Sequence, residues 1–314
     1  MRGFEKRRGV AEPGSIPAAL DIFRNEVRFY REIAPVVGVR VPICHAAEIT
    51  GDGTFLALED LSAWPEGGDP VDVAVTLSTL HDRWRGGTGR WPWLRPVGAA
   101  AGLVGALYDE VWPGIATRPA LSRRVRELGD RLVGRAAAAE AALSGMLPLT
   151  ICHGDACARN VRTGPGGEIA LLDWEDVSAA PGVLDLAWLL TSSTEPERWD
   201  ETIAAYGPAE ELSAALPGAV VQGLLSFASA AEATEEPRPA RATGRPEPDG
   251  ATDRRKSGGA TERRKSGGTT EGPKSGGATE RPEPVDECDA AAVEAELLAW
   301  GRRLDAAAAR LQQR

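Results

Sequence analysis

Residues 151–176, ICHGDACARNVRTGPGGEIALLDWED, hold the pattern that decides the fold of this chain. Two apolar pieces, LTIC at 149–152 and IALLDW at 169–174, flank a Gly/Pro-rich turn and predict two strands. Asp155, Asn160 and Asp173 stand where these strands give way to loops. Because the turn returns the chain to the same end, we expect the three oxygen-bearing side chains to lie close together.

The spacing of these side chains suits phosphoryl transfer. That reaction needs a carboxylate to take or orient the proton of the attacking hydroxyl, and an amide oxygen and a second carboxylate to hold Mg²⁺ against the nucleotide phosphates. Asp155 and Asn160 have the D-x-x-x-x-N spacing of kinase-like catalytic loops, and Asp173 follows an apolar strand as the Asp of D-F-G does. Either motif alone can occur by chance, but together with the glycine hairpin they indicate a kinase-like site.

Two other interpretations of the same stretch were weighed. Cys152, His153 and Cys157 are close enough in sequence to suggest zinc, but neighbouring residues of a strand point to opposite faces and no second ligand pair appears. Asp173 could also simply cap its strand. The kinase-like site is favoured over both.

Composition limits the classes of partner. A net charge of −10 and a pI near 5.0 argue against a nucleic-acid binder held by a general basic field. The four cysteines lack CxxC spacing, which fits a reducing cytoplasm. No secretory signal is visible, and the apolar stretches are too short to span a membrane. We therefore expect a cytoplasmic protein that binds neither nucleic acid nor membrane; no oligomeric state follows from the sequence.

Outward from the quoted stretch, a few strands are followed by many helices. This order predicts an α+β protein of two lobes. The helix that begins at Asp21 should end at Pro35, and the helical region before the quoted stretch should break around Pro113 and Pro119. The predicted elements upstream are a helix at 21–34, strands at 39–49 and 53–61, and helices at 71–87 and 99–145.

Four segments are expected along the chain. They are a partial N-lobe and hinge at 1–61, a helical C-lobe with the catalytic loop at 62–231, a repeat segment at 232–287 and a C-terminal helix at 288–314. The repeat segment has nine-residue units such as ATDRRKSGG and almost no aliphatic residue, so it should be disordered. Expansion of a tolerated surface loop is favoured over a tail or phosphosite role.

The final segment carries an apolar stripe at helical spacing, formed by Leu297, Trp300, Leu304, Ala308 and Leu311. Such a stripe needs a partner, and the helices that precede the repeats are the favoured one. A solvated or self-associating helix is the alternative.

Several motifs together resemble the aminoglycoside phosphotransferase and choline-kinase-like family of small-molecule kinases. The resemblance covers roughly residues 20–230 and the last helix. It implies a protein-kinase-like bilobal fold and transfer of phosphate from ATP (or GTP), with Mg²⁺, to a hydroxyl group of a small molecule. The motifs are NEVRFYREIAP at 25–35, LALEDL at 56–61, HGDACARN at 153–160 and LLDWEDVSAAPGVLDLAWLL at 171–190.

The resemblance also implies roles for single residues. Asp155 would be the catalytic base, with His153 bracing its loop, and Asn160 and Asp173 would be the Mg²⁺ ligands. Asp185 would tie a helix to the catalytic loop. The remaining implied roles are contacts of the hinge backbone at Glu59, Asp60 and Leu61 with adenine, and pairing of Glu26 with a phosphate-binding lysine.

The front of the nucleotide site departs from the family pattern. Lys6 stands about the right distance before Glu26, but GFEKRRGV lacks the Val/Ile-rich character of a strand, so a mobile charged terminus is the favoured interpretation. The phosphate-covering strands with their glycine turn are not visible before it. Either the true start lies upstream, or the chain is a catalytically impaired, pseudokinase-like binding protein.

The acceptor is not readable from the sequence. Carboxylates at 195–201 could receive a polycationic aminoglycoside, although a solvated helix start is favoured for them; Trp84 and the RWPWL run at 90–94 could line a pocket or serve lobe packing. A protein kinase is disfavoured because HGD replaces H-R-D, DWE replaces D-F-G and no A-P-E element is present.

Overall fold

The computed structural model describes residues 3–232 and 287–313, with side chains described for 3–228 and 295–313. The N-lobe, residues 3–61, is built on a three-stranded antiparallel sheet with the strand order β1-β3-β2. Thr54, Leu56 and Leu58 of β3 alternate inward and form the buried face of the sheet. The strands are β1 (Gly3–Gly9), β2 (Cys44–Thr50) and β3 (Gly53–Glu59).

The expectation of a mobile terminus around Lys6 is wrong. GFEKRRG forms β1, whose residue Lys6 pairs with Leu56 of β3 in the antiparallel register. The strand lies at an edge of the sheet, where charged side chains are tolerated because one face is open to water. Lys6 and Arg8 point to one face and make ion pairs there, while Arg7 on the other face lies over the Phe55 ring. Ion pairs and strand pairing thus replace the missing aliphatic character.

Helical segments between β1 and β2 cover the sheet. They are α1 (Ile16–Leu20), α2 (Ile22–Arg28), a π turn at Phe29–Ile33 and a 3₁₀ turn at Ala34–Val36. Val27, Phe29, Tyr30 and Ile33 are buried, and the helical run ends beside Pro35 as expected. The helical run carries Glu26 inward, where only 2% of it is exposed.

The C-lobe, here residues 62–232 with the final helix, is mainly helical, so the α+β class and the two-lobed fold are confirmed. Its short strands form a sheet with the order β4-β8-β5 and the hairpin β6-β7, which is the hairpin predicted at 161–172. The strands are β4 (Arg95–Pro96), β5 (Thr150–Cys152), β6 (Val161–Thr163), β7 (Ile169–Leu171) and β8 (Ser178–Ala180). The helices are α3 (Pro70–Trp84), α4 (Ala101–Ile115), α5 (Arg123–Leu132), α6 (Ala136–Glu140), α7 (Val183–Ser193), α8 (Trp199–Tyr206), α9 (Leu212–Glu232) and α10 (Glu287–Gln312).

The helical region breaks at 116–122, close to the break expected around Pro113 and Pro119, although α4 continues through Pro113 to Ile115. A proline in a helix lacks the N–H that would bond to the carbonyl four residues before it, here that of Asp109, and its ring crowds that carbonyl. The buried face of α4 holds the helix in place through Tyr108 and Trp112, whose rings are stacked 5.7 Å apart. Tertiary packing therefore outweighs the local preference of proline.

The last helix, α10, packs against α5, α7 and α9. Trp300, Leu304 and Ala308 of its apolar stripe are buried in this contact. Arg303 fixes the register by donating to the Ser192 carbonyl at 2.6 Å. The repeat segment at 232–287, predicted to be disordered, lies outside the described residues except for its first and last residue. Among the helices that the structure describes, none is long and apolar enough to cross a membrane.

Candidate active site

The catalytic loop, residues 153–160, follows β5 and is anchored by one buried carboxylate. Asp185, at the start of α7, accepts hydrogen bonds from the backbone N–H groups of His153 at 2.7 Å and Gly154 at 2.8 Å. It also accepts from His81 Nε2 at 3.0 Å. Burial alone would raise the pKa of Asp185, but these donors outweigh burial and lower it. Asp185 is therefore an ionised tie between helix and loop.

His153 connects the catalytic loop to the hairpin. Its Nδ1 accepts the backbone N–H of Asp155 at 3.2 Å, which leaves Nε2 to donate to the Leu172 carbonyl at 2.7 Å. The ring is fully buried and lies against Trp174. These two hydrogen bonds keep Leu172, the residue before Asp173, at a fixed distance from Asp155.

Asp155 is held by donors on both of its oxygens. Trp188 Nε1 of α7 donates to Oδ1 at 2.6 Å, and Asn160 Nδ2 donates to Oδ2 at 2.8 Å. Burial raises the pKa of Asp155, although His153 and the Trp188 bond act in the opposite direction. The carboxylate is therefore oriented, and it binds a proton more readily than an exposed aspartate.

Asp173 lies directly after β7 in a left-handed backbone conformation, with φ at +56°. A non-glycine residue takes up this conformation only when surrounding contacts fix it. Here Trp174 supplies the contact: it is fully buried and stacked on Phe29 with ring centroids 4.0 Å apart. The turn leaves the Asp173 side chain 40% exposed and directed at β1.

The Lys6 ammonium joins the two lobes. Its Nζ lies 2.8 Å from Asp173 Oδ1, 2.9 Å from Glu26 Oε2 and 2.7 Å from Glu175 Oε1. Burial alone would lower the pKa of Lys6, but Glu26 and Asp173 outweigh it and raise the pKa above its usual value. Because three carboxylates share one ammonium, burial still raises the pKa of Glu26 to about 7.

A cavity of about 470 Å³, the Lys6 cleft, opens between the lobes. Its walls include Lys6, Glu26, Asn160 and Asp173, so the structure brings these residues together. Glu59, Asp60 and Leu61 also line it, just after β3. The Glu59 N–H donates to the Ile43 carbonyl and the Glu59 carboxylate pairs with Arg40. Among the described hydrogen bonds, none is donated by the backbone N–H of Leu61. A ligand in the cleft could therefore accept a hydrogen bond from it.

A second cavity, the Glu140 cavity, has a volume of about 420 Å³ and lies on the other side of the catalytic loop. Its walls include Asp155, Trp188 and Glu140. Arg159 of the catalytic loop lines both cavities. The loop therefore separates the two spaces, with Asn160 facing one of them and Asp155 the other.

The residues of the Lys6 cleft suit a divalent cation. The Asn160 amide nitrogen donates to Asp155, which leaves its Oδ1 as the remaining ligand atom. The oxygens of Glu26, Asp173 and Glu175 lie within 4.8 Å of one another around the Lys6 ammonium, so Asp173, at the mouth of this cluster and in the wall of the cleft, is the carboxylate that remains for a cation. Oxygen donors of this kind are what Mg²⁺ prefers. By contrast, Cys152 Sγ lies toward the Ala180 and Pro181 carbonyls, and the possible ligand atoms grouped with it belong to His81 and Asp185, not to His153 and Cys157.

Two candidates for acceptor recognition lie elsewhere. Glu195 pairs with Arg302 and Arg303, while Asp200 pairs with Arg310, so these carboxylates bind α10. None of the residues 195–201 lines the Glu140 cavity. Trp84 and Trp91 are buried against each other at 5.0 Å, and neither lines either cavity.

The sequence pattern disfavoured a role for Lys6 and did not single out Trp188 or Glu140. Lys6 could have been recognised by the alternation of Phe4, Lys6 and Arg8 on one face of a short strand. Trp188 lies in the quoted LDLAWLL motif, but only the fold shows that it bonds to Asp155. Glu140 stands in an Ala-rich helix and carries no sequence signal.

Comparisons with known proteins agree with this geometry. A sequence model of the phosphotransferase enzyme family (APH) matches residues 15–218, well over half of the chain. No curated protein sequence matches.

Solved structures with a similar fold include three kinases. An aminoglycoside phosphotransferase, APH(3'')-Id, from Streptomyces rimosus, in complex with ADP and streptomycin, is 20% identical with a TM-score of 0.48, over 71% of this chain and 86% of that one. An aminoglycoside-3'-phosphotransferase of type VIII is 21% identical with a TM-score of 0.48, over 71% and 84%. The choline kinase LicA from Streptococcus pneumoniae is 15% identical with a TM-score of 0.41, over 69% and 76%. On the match over residues 15–218, the chain belongs to the phosphotransferase enzyme family.

Proposed function

We propose that the protein transfers the terminal phosphoryl group of ATP (or GTP) to a hydroxyl group of a small molecule. The observation that carries this proposal is the position of the Lys6 ammonium, 2.8 Å from Asp173 and 2.9 Å from Glu26. A cation held beside a metal-binding carboxylate is what a kinase needs to neutralise nucleotide phosphates. The binding-only alternative depended on the absence of both a glycine loop and a lysine strand, and the Lys6 contact argues against the second of these.

The Lys6 cleft is the proposed nucleotide site. Lys6 would bind phosphate oxygens while Glu26 keeps its ammonium in place, and the Leu61 N–H would donate to the base. Asn160 Oδ1 and the Asp173 carboxylate would hold Mg²⁺, which when bound supplies positive charge for the transferred phosphoryl group. Each of these groups is already oriented by a hydrogen bond or by packing, so little reorganisation is needed.

The acceptor hydroxyl would enter from the Glu140 cavity and face Asp155. In the reaction, the hydroxyl oxygen forms a bond to the terminal phosphorus as the bond between that phosphorus and the bridging oxygen breaks, and the hydroxyl proton passes to Asp155. Trp188 and Asn160 fix the carboxylate so that a free oxygen lone pair points at the acceptor. Burial, which raises the pKa of Asp155, makes it a better proton acceptor than an exposed aspartate.

The test is phosphorylated product, detected by mass spectrometry, from Mg·ATP and a panel of amino alcohols, aminoglycosides and other hydroxyl compounds. The full chain should phosphorylate a member of the panel, and Asp155→Ala should abolish the product while retaining nucleotide binding. Tight Mg·ATP binding without turnover on any hydroxyl compound would favour the binding-only alternative. Phosphorylation of protein substrates instead would point to a protein kinase.

A further inference from the structure

One residue of the catalytic loop belongs to both cavities. Arg159 is the only residue in the described part of the chain that lines the Lys6 cleft and the Glu140 cavity alike. Its backbone is fixed on both sides, because the Ala158 N–H donates to Ser193 Oγ at 2.8 Å and the Arg159 carbonyl accepts from Arg162 at 2.9 Å. Its side chain is exposed. The loop therefore presents an arginine side chain where the two spaces meet.

Arg159 differs from the other cations in these two walls, each of which has a carboxylate partner. No carboxylate of the described residues lies within ion-pair distance of its guanidinium. Its positive charge is therefore available to a ligand. The pairs formed by the other cations are Lys6 with Asp173, Arg7 with Glu5, Arg8 with Glu175, Arg162 with Glu66, and Arg95 with Asp176.

The closest polar neighbour of Arg159 does not neutralise it. The Cys157 thiol interacts with the guanidinium, but burial raises the pKa of this thiol to about 11, so the thiol stays protonated at neutral pH. Asp155 and Glu296 act on Arg159 only from beyond ion-pair distance. Cys157 can thus help to orient the guanidinium without removing its charge.

The anion that crosses from the Lys6 cleft to Asp155 in the proposed reaction is a phosphoryl group. Its non-bridging oxygens carry negative charge, and the Asp155 carboxylate repels them as they approach. Lys6 lies on the nucleotide side of the loop, so Arg159 is the cation without a carboxylate partner on the side that faces Asp155, among the described residues. The planar fork of a guanidinium can donate to two oxygens of one phosphate at once.

We infer that Arg159 is a further catalytic residue, whose guanidinium donates hydrogen bonds to the non-bridging oxygens of the terminal phosphoryl group before and during its transfer. This inference rests on the proposed function, because it takes the Lys6 cleft as the nucleotide site. The terminal phosphorus loses its bond to the bridging oxygen, which keeps the electron pair and leaves on the nucleoside diphosphate. It gains a bond to the acceptor oxygen, whose proton passes to Asp155. Arg159 keeps all its protons and neutralises charge on the group in transit.

The experiment compares two nucleotides that differ in the terminal phosphoryl group. The full chain is titrated calorimetrically, without acceptor, with Mg·ADP and with the non-hydrolysable Mg·AMP-PNP. The parent should bind Mg·AMP-PNP more tightly, and Arg159→Gln should weaken that binding by about ten- to a hundredfold, as expected for lost hydrogen bonds between charged groups. Its affinity for Mg·ADP should be unchanged. Arg159→Lys should recover part of the loss, because it keeps the charge but not the fork.

Arg162→Gln is the matched control, because it removes the same charge from the wall of the same cleft, where Glu66 holds the guanidinium at 3.2 Å. It should change both affinities by the same factor. An unchanged preference for Mg·AMP-PNP in Arg159→Gln, or an equal loss of preference in Arg162→Gln, would overturn the inference.

A second titration, with hydroxy acids and no nucleotide, tests the other anion that Arg159 could meet. Parent and Arg159→Gln should not differ in it. Binding of a hydroxy acid that Arg159→Gln loses, with the nucleotide preference unchanged, would assign the guanidinium to an anionic group of the acceptor and overturn the inference. A lost preference without phosphorylation of any hydroxyl compound by the parent would refute the proposed transfer and leave the Arg159 contact standing.

Discussion

Desolvation raises the pKa of both Glu26 and Glu140 to about 7, yet Glu26 is fully buried and Glu140 only half-buried, and they have different partners. Glu26 faces the Lys6 ammonium of the same lobe at 2.9 Å. Glu140 has only the Gln222 amide, on one oxygen. In the Lys6 cleft three carboxylates surround one ammonium, whereas in the Glu140 cavity one carboxylate oxygen has no hydrogen-bond partner among the described residues.

The side chains of the two cavities are therefore held in place by different interactions. The Lys6 cleft is oriented in advance by ion pairs within the protein, which suits a donor with the same phosphates in every turnover. The Glu140 cavity is shaped mainly by helix packing, and the only hydrogen bond of the Glu140 side chain among the described residues is the one from Gln222. Asp155 lies between the Lys6 cleft and the Glu140 cavity. Substitutions on the two sides of it should therefore affect different steps of the reaction.

The largest effect should come from Asp155→Ala, which removes the proposed base and leaves Lys6 and Glu140 in place. We expect kcat to fall by about a thousandfold, within the range for loss of general base catalysis. Single-turnover measurement of phosphorylated product checks this. Asn160 and Trp188 lose a shared partner, so an unfolding transition like that of the parent is the necessary control. A rate within a few-fold of the parent would show that another group takes the proton.

Asp173→Asn should act on nucleotide affinity and not on proton transfer. A metal-ligating carboxylate contributes several kcal/mol, so we expect Mg·ATP to bind about a hundredfold more weakly. Asp155→Asn, which faces the Glu140 cavity, should bind Mg·ATP nearly as well as the parent. Calorimetric titration decides this. Equal affinities in both variants and the parent would sink the assignment of the two roles.

Lys6→Met removes the ammonium that three carboxylates share. We expect Mg·ATP affinity to fall by about ten- to a hundredfold, the effect of one lost charge-assisted contact. The variant should also be less stable, because Glu26 is left buried without its cation. Thermal unfolding and nucleotide titration measure the two effects, and Lys6→Arg should recover part of the stability because it restores the charge. Unchanged affinity in Lys6→Met would leave β1 without a role in nucleotide binding.

The smallest effect concerns stability and pH. The Glu140 pKa is raised in the folded state, so between about pH 4.5 and pH 7 the folded protein binds more protons at this site than the unfolded chain. Its contribution to the free energy of unfolding therefore decreases as pH rises through this window and is constant above it. Glu140→Gln should melt close to the parent at pH 5 and a few degrees above it at pH 8, at about 2–4 °C per kcal/mol. Differential scanning calorimetry at both pH values checks this.

Glu197→Gln is the control for this pH effect, because the Glu197 side chain is exposed. It should melt with the parent at both pH values. A Glu140→Gln variant that melts below the parent at pH 8 would show that the carboxylate is stabilised by a contact other than Gln222.

The sequence alone predicted the loop at 153–160 and its anchor. Asp155, Asn160 and Asp173 could be assigned to one site because local apolar runs, a glycine hairpin and fixed spacings decide where strands end. His153 and Asp185 followed from the family resemblance, and the contacts between Asp185 and the backbone of the loop are of the kind it implied. Local chain geometry determines the strand ends and spacings, and the family pattern supplies the roles expected of His153 and Asp185.

Only the tertiary structure decided the role of Lys6, the conformation around Pro113 and the environment of Glu140. Lys6 meets Asp173 across 167 positions of sequence, and Glu140 meets Gln222 across 82. Such contacts depend on how lobes and helices pack, which periodicity does not record. An edge strand rich in charge looks like a mobile terminus until its ion-pair partners are known, and a glutamate in an alanine-rich helix looks solvated until packing buries it. Burial and charge pairing are properties of the assembled fold, so these residues acquire their chemistry only there.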